Sequence, residues 1–223
     1  MSRFEAIIFD FDGVLIESEF DGNRQLAELL TDLGHRTSLK EALKHYVGLS
    51  GPQFVAAIET RIGATLPPEF HLRRKEQTQR AIRDGVAAVA GAVEFVSTLP
   101  LALPRALASS STTAWIRGHL RHIGLDDAFG EHVYSGREHV ARGKPAPDLY
   151  LYAAHQLGVD IARCVILEDS EVGVVGALAS GATVLGLAAG RHCLDGHADS
   201  LRALGVQHIA NGFDEVRSFV GLD

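Results

Sequence analysis

The chain has 223 residues, enough to bury one substantial core, or a core with a smaller insert. With 46% apolar and 22% charged residues it has the make-up of a soluble globular protein, and no apolar run nears the roughly 20 residues of a membrane span. The net charge of −7, from 21 Lys and Arg against 28 Asp and Glu, excludes a general nucleic-acid binder, whose affinity needs clustered positive charge. The basic cluster Arg73-Arg74-Lys75 is interrupted at once by Glu76 and reads as a solvated helix face. Two cysteines, Cys164 and Cys193, make no disulfide framework, which suits a reducing cytoplasm. "MSRFEAIIFD" lacks a signal-peptide apolar stretch, so the expected location is cytoplasmic.

In chain order, short apolar runs ending in polar residues predict strands over Phe4–Asp10, Leu103–Ser109, His132–Ser135, Cys164–Glu168 and Thr183–Leu187, with a weaker one over His208–Ala210. Helical patterns fall between the later strands, over Thr113–Ile123, Pro147–Leu157 and Glu171–Ala179. Strand–helix alternation implies an α/β fold, a Rossmann-like parallel sheet with helices on both faces. The alternation breaks between about Ile16 and Gly85, where the pattern is helical only. Ser38-Leu39-Lys40-Glu41 is a capping-box signal, and Pro52 and Pro67 sit where helices start. The expected division is a core of 1–16 and 86–223 with an inserted helical cap domain of 17–85.

Polar clusters end four of these strands or follow them: Asp10 and Asp12, Ser109, Lys144 in "GKPAPD", and Glu168-Asp169 in "VILEDS". Residues two apart on an extended chain face the same side, so Asp10 and Asp12 converge. Four carboxylates beside one lysine resist burial unless a cation compensates, and Mg²⁺ suits an oxygen-rich site that takes phosphate. An aspartate so neutralised can attack phosphorus. A second acid two residues on can protonate the leaving alkoxide and then deprotonate water. Ser109 and Lys144 would stabilise phosphoryl oxygens.

With these residues in view, the chain resembles the haloacid dehalogenase superfamily in its phosphatase branch. "DFDGVLIES" is similar to its first motif, "ALASS" to its second, "GKPAPD" to its third and "LEDSEVG" to its fourth. The resemblance implies Asp10 as nucleophile and Asp12 as acid/base, with the Asp12 backbone carbonyl also on Mg²⁺. It further implies that Asp169 binds the metal and Glu168 ligates or orients. Ser109 and Lys144 complete the catalytic set. The insert matches the family's helical cap, where Gly48, Ser50 and Lys75 would face the substrate together with Ser110 of the core. Val47 and Leu49 read as cap core.

Asp12 argues for phosphoryl transfer, because a halide leaving group needs no proton. The chain is also similar to β-phosphoglucomutases in "LASSS" and "GKPAPDLY". Those enzymes carry a cap histidine where this chain has Gly22, and a basic residue where it has Val47. "MSRFEAIIFDFDGVLIESE" and "YSGREHVARGKPAPDLYLYAA" look closer to sugar-phosphate phosphatases, 6-phosphogluconate phosphatase among them. The expected partner is therefore a small phosphorylated metabolite, with no nucleic acid and no membrane, acting on a monomer or small homo-oligomer. The alternatives are a phosphosugar mutase and a non-catalytic phospho-accepting switch, the latter disfavoured by Asp12 and the helical insert. "GREHVARGK" fails as a phosphate-binding P-loop, since its glycines are too far apart and Pro145 replaces the hydroxyl residue. His192, Cys193, His197 and Asp199 carry metal-binding groups at no recognised zinc spacing. They read as a loop leading into a helix from about His197 to Leu204, with Arg191 and His192 near the rim of the site. Gly173 and Gly176 read as close-packing positions.

Overall fold

A computed structural model describes residues 3–49 and 51–222. Six strands, β1 (Ala6–Phe9), β2 (Arg105–Ser109), β3 (Val133–Ser135), β4 (Cys164–Glu168), β5 (Thr183–Leu187) and β6 (His208–Ala210), form one sheet. Their order is β3-β2-β1-β4-β5-β6 and every pairing is parallel, as the strand–helix alternation implies. The chain runs outward from β1 to β3, then returns to the far side of β1 at β4. This reversal is the topological switch point, where ligands bind beyond the carboxyl ends of the strands.

Period-two alternation sorts the strand side chains between the faces. Ile7 and Phe9 of β1, Leu107 of β2 and Val165 and Leu167 of β4 pack on one side. There they meet α5 (Ala92–Ser97), α6 (Thr113–His122) and α10 (Phe213–Val220), through Phe95, Ile116 and Val216. Ala6 and Ile8, Ala106 and Ala108, and Cys164 and Ile166 face the other way. That side carries α7 (Asp148–Leu157), α8 (Glu171–Ser180) and α9 (His197–Ala203). Burial on both faces explains why β1 and β4 read as unbroken apolar runs.

Between β1 and β2 lie α1 (Ser18–Asp32), α2 (Leu39–Tyr46), α3 (Gly51–Ile62) and α4 (Pro68–Asp84). They carry their own apolar cluster, including Leu26, Leu29, Leu30, Tyr46, Ile58 and Phe70. The Ser38–Glu41 capping box forms in full at the start of α2, a feature worth about 1 kcal/mol. Two adjacent connections join this insert to the sheet. Glu17 N donates to Ala87 O at 2.9 Å, and Val89 N donates to Leu15 O at 3.0 Å. Among the described residues, no helix is long and apolar enough to cross a membrane.

The strands over 164–168, 183–187 and 208–210 match the sequence reading residue for residue, while β1 is trimmed at both ends and β2 and β3 at their starts. Short α5 and α10, six and eight residues long, join the helices the sequence signals.

Candidate active site

Each polar cluster is delivered by the end of a strand or by the loop after it. Asp10 directly follows β1 and is 5% exposed, its amide donating to Leu167 O on β4 at 2.9 Å. Lys144 Nζ reaches Asp10 Oδ1 at 2.6 Å and Glu168 Oε1 at 2.5 Å, and its side chain is only 3% exposed. Tyr150 on α7 donates to the same Glu168 oxygen at 2.7 Å. Ser170 supports the other oxygen through its amide and its hydroxyl, both at 3.0 Å. Four donor contacts from Lys144, Tyr150 and Ser170 thus converge on the two oxygens of buried Glu168 and fix their direction.

The room for it is made by glycine. A Cβ at Gly173 would stand 1.7 Å from Glu168 Oε1, so this position serves the acidic cluster beyond simple helix packing. Gly176 answers to the packing reading, since its Cβ would meet Ala146 O at 3.0 Å. Gly13, at φ +85, would put a Cβ 2.0 Å from Asp169 Oδ2.

Asp12 is half-buried and held by four donors. Ser18 Oγ (2.7 Å) and Trp115 Nε1 (3.0 Å) reach Oδ1, while Ser111 Oγ (2.7 Å) and Ser109 Oγ (3.2 Å) reach Oδ2. Ser18, Ser111 and Trp115 were not in the sequence-derived set. Ser111 and Trp115 lie just past the second motif, at the turn into α6 and in its first turn, and that adjacency was the available signal.

Asp10, Glu168 and Asp169 bring carboxylate oxygens within 4.8 Å of one another, all buried. Both Asp169 oxygens lack a directed hydrogen bond among the described residues, although His192 Nε2 lies 2.8 Å from Oδ2. Burial raises the Asp10 carboxyl well above its ordinary value; Lys144 opposes the shift, and the charges of Glu168, Asp169 and Asp12 add to it. Burial, with the charge of Glu168, does the same to Asp169. Burial works against the Lys144 ammonium, but Asp10 and Glu168 outweigh it and hold the lysine well above the usual range. This donor set fits a hard divalent cation: oxygen ligands, excess negative charge and orphaned carboxylate oxygens.

Asp10, Asp12 and Lys144 form the floor of a cavity of about 670 Å³ between sheet and insert. Ser109, Ser110, Gly22 and Gly48 line it. Ser50 lies outside the described residues. Lys75 is exposed and does not line the cavity, whereas its neighbour Arg74 does; one residue along a helix turns the side chain by about 100°. Of the Arg73-Arg74-Lys75 cluster, it is Arg74 that borders the cavity. Leu49, expected in the cap core, also lines the cavity, and Val47 is half-buried outside the insert's apolar cluster.

Opposite the floor, Arg74 Nη1 donates to Gln77 Oε1 at 2.9 Å and to Gly22 O at 3.3 Å. It has no ion pair among the described residues, and its burial lowers its pKa. Glu19 also lines the wall, where burial and the charges of Asp169 and Asp12 push its carboxyl up to about 7. Arg191 stacks over Phe20 of α1 at 3.8 Å, and its amide donates to Glu17 Oε2 at 2.9 Å.

The sequence model of the haloacid dehalogenase-like hydrolases matches residues 4–181. The Bacillus subtilis (strain 168) protein YhcW, provisionally named a phosphatase, is 36% identical over 183 residues, covering 79% of this chain and 80% of its own length. The fructose-1-phosphate phosphatase of Escherichia coli (strain K12) is 29% identical, covering 80% of this chain and 94% of its own. The 6-phosphogluconate phosphatase of the same organism is 25% identical and covers 86% of each chain. Among solved structures, a haloacid dehalogenase-like protein from Agrobacterium tumefaciens superposes with a TM-score of 0.89 at 29% identity, covering 98% of both chains. A family hydrolase from Deinococcus radiodurans, crystallised with bound phosphate and sodium, gives 0.84 at 33% identity, covering 100% of this chain and 98% of its own.

Proposed function

This chain belongs to the haloacid dehalogenase-like hydrolases, and we propose that it is a Mg²⁺-dependent phosphatase acting on a small sugar or sugar-acid phosphate through an aspartyl-phosphate at Asp10. The observation that carries the reading is the floor of the cavity. There a buried carboxylate is clamped by Lys144 at 2.6 Å, and a second acid two residues on is fixed by four donors.

Asp10, Glu168 and Asp169 would hold Mg²⁺, with the Asp12 backbone carbonyl by family likeness. When bound, the cation would offset the charge of the carboxylates and of the incoming phosphate. An Asp10 carboxylate oxygen attacks phosphorus; the new O–P bond forms as the ester O–P bond breaks. Lys144 orients Asp10 and neutralises the phosphoryl oxygens. Ser109 Oγ, whose 3.2 Å bond is the longest of the four on Asp12, turns to donate to a phosphoryl oxygen. Asp12 passes a proton to the departing alkoxide. As a carboxylate it then takes a proton from the water that attacks the aspartyl-phosphate, which frees phosphate and restores Asp10.

The helical insert acts as a cap whose closure on the paired connections at 15–17 and 87–89 excludes bulk water. Arg74 would take an anionic or polyhydroxyl end of the substrate, with Gln77, Asn23 and Glu19 contacting hydroxyls. The phosphatase reading is favoured over the mutase by Gly22. Gly22 lines the cavity with no side chain of its own, and no atom comes within 4 Å of a Cβ placed there, so the histidine that the mutases carry at this position has no counterpart at it. Both cysteines are free thiols, in keeping with a cytoplasmic enzyme.

The test is phosphate release from a panel of sugar and sugar-acid phosphates, with and without Mg²⁺, using Asp10→Asn as the blank. Mg²⁺-dependent release by wild type alone supports the reading. Interconversion of phosphate positional isomers without release would replace it with the mutase.

A further inference from the structure

The segment after β5 enters α9 directly behind Asp169. It gathers three side chains that the proposed chemistry does not use. His192, Cys193 and His197 place one ligand atom each within 4.8 Å of one another. Asp199, grouped with them on sequence, instead turns outward to Arg202 at 2.8 Å. Cys193 Sγ lies 3.4 Å from His192 Nε2, and that nitrogen lies 2.8 Å from Asp169 Oδ2. His197 Nε2 is buried with no hydrogen-bond partner among the described residues, and the ring lies close enough to the Asp169 backbone to feel it. A histidine so placed presents its free nitrogen to a metal.

The backbone also makes room for the imidazole. His192 is 3% exposed, and a Cβ at Gly190 would come within 2.5 Å of its Nδ1 and Cε1. A tetrahedral zinc site, with bonds of about 2.0–2.3 Å, sets its ligand atoms roughly 3.3–3.8 Å apart. The cysteine–histidine spacing already falls in that range. The histidine–aspartate spacing needs to open by only about half an ångström.

We propose that His192, Cys193 and His197 form a site for a soft divalent cation such as Zn²⁺, with Asp169 as fourth ligand, and that its occupation draws Asp169 away from the Asp10–Glu168–Asp169 cluster and so inhibits the enzyme. The two sites share Asp169, and a thiolate with two imidazoles selects a softer ion than a carboxylate cluster does. Burial and the nearby Asp169 push the Cys193 thiol up to about 12, so it is protonated without metal. Forming the metal–sulfur bond therefore releases the thiol proton to solvent, with no redox step. The inhibitory half of the proposal rests on the phosphatase reading; the binding half does not.

Co²⁺ is the probe for binding, because a thiolate ligand gives it a sulfur-to-metal charge-transfer absorption that an all-oxygen site lacks. Titrating the full chain should give such a band, saturating at one Co²⁺ per chain and erased by Zn²⁺. Cys193→Ser should lose the band, keep wild-type Mg²⁺-dependent phosphate release, and need at least about tenfold more Zn²⁺ for half-inhibition. No thiolate band in the wild type would overturn the site. A band with equal Zn²⁺ sensitivity in wild type and Cys193→Ser would overturn its inhibitory role. The Co²⁺ titration reads the site even if no phosphate ester proves to be a substrate.

Discussion

At the residue scale, the division of labour between Asp10 and Asp12 follows from their partners. Asp10 faces a lysine and a carboxylate cluster, whereas the hydrogen bonds to the Asp12 carboxylate among the described residues come from three hydroxyls and an indole N–H. On the proposed mechanism, replacing Asp12 by Asn removes the proton shuttle and should lower kcat by about 10²–10⁴-fold in steady-state assays. Trp115→Phe keeps the ring and deletes the donor to Asp12 Oδ1. It should lower kcat by roughly tenfold and leave KM unchanged, as a positioning residue would. Arg74→Ala should raise KM for a sugar-acid phosphate by about 10–100-fold, the cost of one hydrogen bond to a charged group, while Lys75→Ala changes nothing. The two strand-end acids, Ser109, Lys144 and Glu168-Asp169 were legible because motif order and strand ends coincide. Arg74 was not, because the rotational phase of α4 is set by packing of the insert and not by its local sequence.

At the scale of elements, α8 gives a prediction whose sign separates local propensity from site geometry. Gly to Ala inside a helix ordinarily stabilises by about 1 kcal/mol. At Gly173 the added methyl meets Glu168 Oε1 at 1.7 Å. Gly173→Ala should therefore lower the melting temperature and reduce kcat by more than about tenfold, as the lysine–glutamate–tyrosine contacts are displaced. An unchanged or raised melting temperature with full activity would show that Glu168 is not held as described. The strands were readable because both faces of a parallel sheet are buried, which writes continuous apolar runs into the chain. Helices α5 and α10 left weaker traces, since six to eight residues complete barely two turns of period. His192, Cys193 and His197 stood out on the sequence but fitted no zinc spacing, because the turn before α9 folds back and spacing along the chain says little about distance.

For the whole molecule, the site carries more negative charge than its lysine balances. Asp10 and Asp169 sit well above their ordinary values, and Glu19 is pushed up to about 7. Below the ordinary carboxylate range both folded and unfolded chains hold these protons. As pH rises from about 4 to about 7, the unfolded chain releases protons that the metal-free folded protein still keeps. The folded state binds more protons in this window, so stability of the metal-free protein falls as pH rises through it. Thermal melts should show that fall, and a saturating level of Mg²⁺ should recover roughly 5–10 °C at neutral pH but little at pH 4–5. A melting temperature that is flat over this range and indifferent to Mg²⁺ would contradict the charge balance described for the cluster.

The most direct measurement is chemical identification of the phosphorylated residue. Wild type under turnover and Asp12→Asn, in which breakdown is slowed, would each be mixed with acetyl phosphate and Mg²⁺. The mixtures would be quenched in acid, reduced with borohydride and digested for peptide mass analysis. An acyl phosphate is reduced to the alcohol, so homoserine should replace Asp10, only with phosphoryl donor present, and be absent in Asp10→Asn. Homoserine at Asp12 or Asp169, or an active enzyme that never yields it at position 10, would contradict Asp10 as the nucleophile.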